Sequence, residues 1–293
     1  MTAIDILTLL LVTLVWGFNF AVVKIGLAQL PPILFVSLRF FLVAALLLPF
    51  LKWPRHKRGL ILLLGITLGV IHFSMFFLGV SGLEVSTAAI AIQLQVPFAS
   101  ILAAIVYRDR LGWRRLLGMA FAFAGVALVA GAPRSNPATG PLLLIIGAAC
   151  FWSIASMIMK EIGDELDVLS LNGWVAVIAA PLLLAVSAVF EHGHVGAILA
   201  SDWRAWLSLL FQACLVTVFG YSVWYRMMRR FSLNQVMPFT LLVPVFGVLS
   251  GVIFLGDQVT HLMLFGAALT IAGIGIIVVR RPRIAAQATK GGL

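Results

Sequence analysis

The residues of this chain that could do chemistry are suited to holding a molecule rather than cutting one. His72, Asn19, Gln93, Ser156 and Thr240 are polar groups set inside long apolar runs, and Trp16, Trp152, Phe73, Phe76 and Tyr221 supply aromatic faces near them. Asn19 lies three residues after Trp16 and Ser156 four after Trp152, so in a helix each polar side chain shares a face with its tryptophan. Aromatic faces stack on a flat or apolar solute while an amide or hydroxyl orients its polar end. The plainer account is packing: a stripe of aromatics builds a core, and an intramembrane amide can glue helices together. His72, one turn before Phe76, stands equally between a solute contact and a satisfied structural histidine.

Other polar residues divide by position. Gln93 and Gln95 are two residues apart, about 200° around a helix, so they cannot share one cavity. Gln93 is favoured as a lining residue and Gln95 as interhelical glue, because Gln93 corresponds to the polar Thr240 in a repeat described below, whereas Gln95 corresponds to Leu242. Pro97 and Pro244 each free a carbonyl in mid-helix, which suits a hinge or a ligand contact, with a static kink as the plainer account. Lys24 and Arg39 are cations inside apolar runs, candidates for an anion contact or for coupling. Their plainer roles are snorkelling for Lys24 and capping of helix-end carbonyls for Arg39, the latter slightly favoured because no carboxylate lies near it in sequence. No Walker loop, HExxH, GxSxG or cysteine cluster is present. No cofactor, no metal and no catalytic residue is therefore expected, and Cys150 and Cys214 read as core filler.

These residues must be positioned by membrane helices. The chain is 62% hydrophobic and 10% charged, far below the roughly 25% charge of a soluble domain. Ten runs are long enough to cross a bilayer: 6–27, 33–51, 60–82, 86–106, 111–131, 141–161, 168–190, 203–227, 234–255 and 261–279. The first run lacks a basic leader and reads as a span, not as a cleaved signal. The net charge of +10 sits in short clusters between runs rather than on an amphipathic face, which argues against a nucleic-acid partner. With the N-terminus cytoplasmic, 16 of the 20 Lys and Arg fall inside and only Arg134 and Arg204 outside, which sets the orientation by the positive-inside rule.

The two halves repeat. WGFNFAVVK at 16–24 matches WSIASMIMK at 152–160; FSMFF at 73–77 matches YSVWY at 221–225; LQVP at 94–97 matches LLVP at 241–244; and Gly118 with Gly125 matches Gly266 with Gly273. The offsets run from 136 to 148. Five spans per copy is an odd number, so the second copy must be inverted, a common transporter plan with its site near the midplane. The expected organisation is an all-α integral membrane fold with a first repeat over 1–132, an external linker over 133–140, a second repeat over 141–281 and a disordered cytoplasmic tail over 282–293.

The motifs Trp16-Gly17-x-Asn19, Arg39-Phe40 and Pro97…Leu111-Gly112…Gly118…Gly125, with the second copy running from Pro244 through Gly256-Asp257 to Gly266 and Gly273, resemble the drug/metabolite transporter superfamily. Within it the chain is similar to EamA-type ten-helix exporters, and its aromatic middle to exporters of aromatic amino acids. Asp109 stands where that family has a familiar Glu, and Ser153 and Ala155 stand where the first copy has Gly and Asn. The resemblance implies export of amino acids or related metabolites by alternating access. The expected partners are a small-molecule substrate and the lipid bilayer, and the expected location is a bacterial inner membrane with both termini cytoplasmic and a monomer as the working unit. No carboxylate falls at mid-depth, so facilitated movement is favoured over proton coupling through His72. Two alternatives remain: antiport of phosphorylated or other anionic metabolites through Lys24 and Arg39, and a membrane-embedded lipid-modifying enzyme.

Overall fold

The computed structural model describes residues 1–106, 108, 112–131, 139–231 and 233–278. Asp109, linker residues 133–138, the tail over 282–293 and the Tyr225 side chain lie outside the described set. Among the described residues ten helices are long and apolar enough to cross a membrane: span 1 (Ala3–Leu27), span 2 (Pro32–Phe50), span 3 (Arg58–Ser81), span 4 (Val85–Val106), span 5 (Trp113–Ala130), span 6 (Thr139–Glu165), span 7 (Val168–Phe190), span 8 (Trp203–Met228), span 9 (Met237–Leu255) and span 10 (His261–Val278). At 1.5 Å per residue even the 18-residue spans reach about 27 Å, close to the hydrocarbon core. Large apolar side chains such as Leu7, Ile105, Phe254 and Phe265 stay exposed on the outside, where lipid rather than water would cover them. The chain is an integral, multi-pass membrane protein.

Beyond shifts of a few residues at span ends, two features differ from the sequence reading. Span 6 begins at Thr139, so the last two residues of the expected linker are helical. The break expected at 191–202 holds a short helix, His194–Ala200, started by Gly193 in the left-handed region (φ 75°).

Several spans depart from ideal α geometry. Gly65–His72 in span 3 and Phe211–Tyr221 in span 8 widen into π-type turns, while Ile92–Leu94 in span 4 and Met237–Leu241 in span 9 tighten into 3-10 turns. The paired stretches start 146 and 145 residues apart (211 − 65 and 237 − 92), close to the offsets of the sequence repeat. Each tight turn comes just before a proline, Pro97 or Pro244, whose nitrogen has no hydrogen to donate to the carbonyl four residues back.

Span 1 packs on span 9 and span 6 on span 4; span 3 packs on span 6 and span 8 on span 1; span 3 also packs on span 7 and span 8 on span 2; and 2 pairs with 7, 4 with 9 and 5 with 10. This set is unchanged when spans 1–5 are exchanged with spans 6–10. The contact between spans 5 and 10 is carried by glycine: Gly118 lies against the Gly273 carbonyl and Gly125 against the Gly266 carbonyl. Number rises along one helix as it falls along the other, so the two run antiparallel, at a separation only small residues permit.

Loops fasten the two ends. On the face holding the N-terminus, Arg230 pairs with Asp5 at 2.9 Å, Lys52 with Asp167 at 2.7 Å, and Glu165 accepts the Arg55 and His56 amides. On the opposite face Glu191 accepts the Ile33 and Leu34 amides at the start of span 2, and Asp257 accepts the Ser86 amide and hydroxyl. A carboxylate at a helix N-terminus satisfies orphan N–H groups and complements the dipole.

Candidate functional site

The middle of the bundle holds two aromatic groups joined through one phenylalanine. The widened turn of span 3 delivers His72 into a nest of rings: Phe73 edge-on at 4.8 Å, Trp152 at 5.2 Å and Phe76 stacked at 6.0 Å. His72 Nδ1 lies 2.8 Å from the Ala148 carbonyl. A carbonyl can only accept, so Nδ1 carries the hydrogen. On span 1, the Trp16 indole donates to the Val216 carbonyl at 3.3 Å and packs on Tyr221 at 5.6 Å and Trp224 at 5.2 Å. Phe20, one turn after Trp16, meets Phe76 at 5.8 Å and links the two groups.

Arg39 enters between them. It is 4% exposed, its guanidinium lies 4.8 Å from the Phe73 ring centre, and it donates to the Thr217 hydroxyl at 3.2 Å. Thr217 passes its own hydrogen to the Gln212 carbonyl five residues back, the spacing a π-type turn allows. Arg39 therefore caps no helix-end carbonyls, which corrects the favoured sequence reading: its partners are a hydroxyl and three rings, Phe40, Phe73 and Phe77. The Lys24 ammonium is held by the Val80, Ser81 and Leu83 carbonyls at 2.9, 2.7 and 2.7 Å, tying span 1 to the end of span 3. Trp224 is 8% exposed and packed on Trp16.

The remaining candidates are placed more locally. Ser156 donates to the Trp152 carbonyl and Thr240 to the Met237 carbonyl. Gln93 is buried on the tight turn of span 4, which packs against span 6. Asn19 is partly buried, and its Oδ1 is fully buried without a hydrogen-bond partner. Sequence reasoning missed Gln212 and Thr217. Both are buried polar residues of span 8, and their polarity inside an apolar run was the signal that could have found them.

Two adjoining cavities of about 500 and 520 Å³ lie between spans 2, 7 and 8, sharing Ser222 and Arg226. One is largely apolar and includes Leu46, Cys214, Val218 and Phe219; the other opens at Lys52 and Asp167. Neither touches the residues expected to line a central cavity; of these, Trp16 packs on Tyr221, and His72 packs on Trp152, Phe73 and Phe76. Outside the spans, burial pushes the Asp167 carboxyl up, but the Lys52 ammonium and the Ser170 amide pull it further down, so it titrates below its ordinary value. Asp202 is also held low, by the Gln29 side chain first and the Arg204 amide second.

Similarity to known proteins follows the same architecture. The EamA-like transporter family matches residues 3–131 and 139–279. A probable amino-acid metabolite efflux pump of Salmonella typhimurium is 34% identical over 275 residues, covering 91% of this chain and 92% of its own. The Escherichia coli protein of the same description is 32% identical over 279 residues, with the same coverage. A solved crystal structure 16% identical to the chain superposes with a TM-score of 0.62, covering 94% of this chain and 96% of its own; that likeness concerns the fold alone. By the family match over both halves of its length, the chain belongs to the EamA-like transporter family.

Proposed function

We propose that this transporter is a secondary carrier that exports amino acids with aromatic or apolar side chains by alternating access. The observation that carries the proposal is the mid-membrane cluster of His72, Trp152, Phe73 and Phe76, linked through Phe20 to Trp16 and Tyr221. Such surfaces favour a neutral or zwitterionic solute with a flat or apolar side chain. The efflux-pump relatives support the same substrate class. Antiport of phosphorylated metabolites is less favoured, because Lys24 is engaged by three carbonyls and Arg39 is left as the single buried cation among the described residues.

The carrier is built from an inverted pair of halves, 1–132 and 141–281. The exchange-invariant packing and the antiparallel glycine contact of spans 5 and 10 support this. It lies in the bacterial inner membrane with both termini cytoplasmic, by the positive-inside rule. It works as a monomer, without a catalytic step or a nucleic-acid partner, and moves substrate down its gradient, since the described carboxylates sit at span ends and loops. The test is efflux from proteoliposomes loaded with a solute panel. Phenylalanine, tryptophan and leucine should leave faster than glutamate or a hexose phosphate; the reverse order would overturn the reading.

A further inference from the structure

A seam between spans 1, 2 and 8 gathers three buried polar atoms that no protein group satisfies. Near the opposite face, Gly26 of span 1 is in contact range of Phe35 of span 2 and the Ser208 hydroxyl of span 8, so these three helices meet there. Going inward, Asn19 lies two turns from Gly26 on the same face of span 1, Arg39 one turn from Phe35, and Gln212 four residues from Ser208. Rises of 1.5 Å per residue put them roughly 6–10 Å deeper along that seam. Two bonds close it from below, on adjacent residues of span 8: Trp16 to the Val216 carbonyl and Arg39 to the Thr217 hydroxyl. Within it, Arg39 Nε, Asn19 Oδ1 and Gln212 Oε1 are buried and unpartnered. Arg39 is 4% exposed and Gln212 0%.

The types of these atoms matter more than their number. A guanidinium carries five N–H donors in a plane, and the ring contacts of Arg39 lie over ring faces, leaving its in-plane donors largely unused. A buried cation without an anion is costly, and the described carboxylates lie at span ends or in loops. The two amide oxygens are neutral acceptors, suited to a cation's N–H groups. One donor fork beside two neutral acceptors is complementary to a carboxylate and an ammonium carried on one carbon.

We infer that Arg39 receives the α-carboxylate of the transported amino acid, and that Asn19 and Gln212 receive its α-ammonium. This rests on the amino-acid reading above and deepens it. The carboxylate binds Arg39 as a charge-assisted, two-bond pair. The substrate side chain then falls on the Phe73 side, towards His72 and Trp152, because Phe73 touches both Arg39 and His72 at 4.8 Å. The seam reads the head that all amino acids share, and the aromatic nest reads the side chain.

The experiment is competition against labelled L-phenylalanine efflux in proteoliposomes of the full-length protein. Three competitors are compared: L-phenylalanine, L-phenylalaninamide, which lacks the carboxylate, and 3-phenylpropionate, which lacks the ammonium. In the unmutated protein each analogue should compete roughly 10- to 100-fold more weakly than phenylalanine, the worth of hydrogen bonds to charged groups. Arg39→Gln should weaken phenylalanine and phenylpropionate by a similar factor and the amide by no more than about threefold. Gln212→Leu should weaken phenylalanine and the amide but spare phenylpropionate. Equal competition by phenylalanine and its amide in the unmutated protein would overturn the inference, and this comparison stands even if a variant fails to fold. Uniform weakening of all three ligands in a folded Arg39→Gln protein would overturn it too. Absence of any phenylalanine efflux would defeat the amino-acid reading itself, whereas efflux with no discrimination among analogues would defeat only this inference.

Discussion

Replacing single glycines between spans 5 and 10 by alanine should separate those helices and destabilise the protein. A Cβ at Gly125 would sit 2.3 Å from Thr270 Oγ1, 2.5 Å from the Gly266 carbonyl oxygen and 2.7 Å from the Thr270 amide nitrogen. At Gly273 it would sit 2.5 Å from the Gly118 carbonyl oxygen and 2.6 Å from the Ala122 amide nitrogen. The Thr270 hydroxyl could rotate away, although it would lose its 2.8 Å bond to Gly266; the backbone atoms cannot. Ordinary contact between such atoms needs about 3.5 Å, so the axes must part by roughly 1 Å, and overpacking of this kind costs about 1–3 kcal/mol. At about 2–4 °C per kcal/mol for a chain of this size, the midpoint should fall by several degrees. Gly59→Ala and Gly196→Ala are the controls: both sit in helices with nothing within 4 Å of the new Cβ, and should be neutral or slightly stabilising. The assay is thermal unfolding of detergent-purified protein. The double variant Gly125→Ala/Gly273→Ala should cost less than the sum of the singles, because helices already parted by one methyl accommodate the second. A midpoint for Gly125→Ala equal to that of Gly196→Ala would refute the close contact.

Three other outcomes follow from the structure. Lys24→Met removes three hydrogen bonds to the carbonyls ending span 3 and should cost about 2–3 kcal/mol, read as a lower thermal midpoint that Lys24→Arg partly restores. The Asp167 carboxyl is held below its ordinary 3.8, so it contributes stability above that value and loses it as pH falls through the lower folded value; Asp167→Asn should flatten the acid limb of a stability–pH curve by under about 1 kcal/mol, since both partners are partly exposed. An inward or outward pH gradient imposed on proteoliposomes should not drive phenylalanine above its equilibrium level; accumulation abolished by His72→Ala would establish proton coupling instead.

The spans were legible in the sequence because the bilayer imposes a length and a composition on every crossing, and both are local properties. Their boundaries agree within a few residues, and the glycines repeated at 118, 125, 266 and 273 meet where spans 5 and 10 pack. What was not legible depends on which helix faces which. Nothing local in the sequence shows that the Lys24 ammonium meets the carbonyls at the end of span 3. Arg39 has no carboxylate nearby in sequence, and nothing local reveals that its partner is Thr217, 178 residues away. Gln212 carries the same local signal, an amide in an apolar run, but nothing local reveals that two other unsatisfied polar atoms arrive from spans 1 and 2. The widened turns of spans 3 and 8 were also invisible, since a shift from α to π geometry is set by packing and by polar side chains such as Thr217 bonding back along the helix.

The claim that this transporter is a carrier with one alternately exposed amino-acid site is tested most directly by counterflow. Proteoliposomes are loaded with millimolar unlabelled L-phenylalanine and diluted into buffer with a trace of labelled L-phenylalanine. A carrier returns label inward as unlabelled substrate leaves, so internal label should rise transiently above the external level and then decay. Label that only approaches the external level, at a rate linear in concentration, would mean a channel or a leak and would contradict the account.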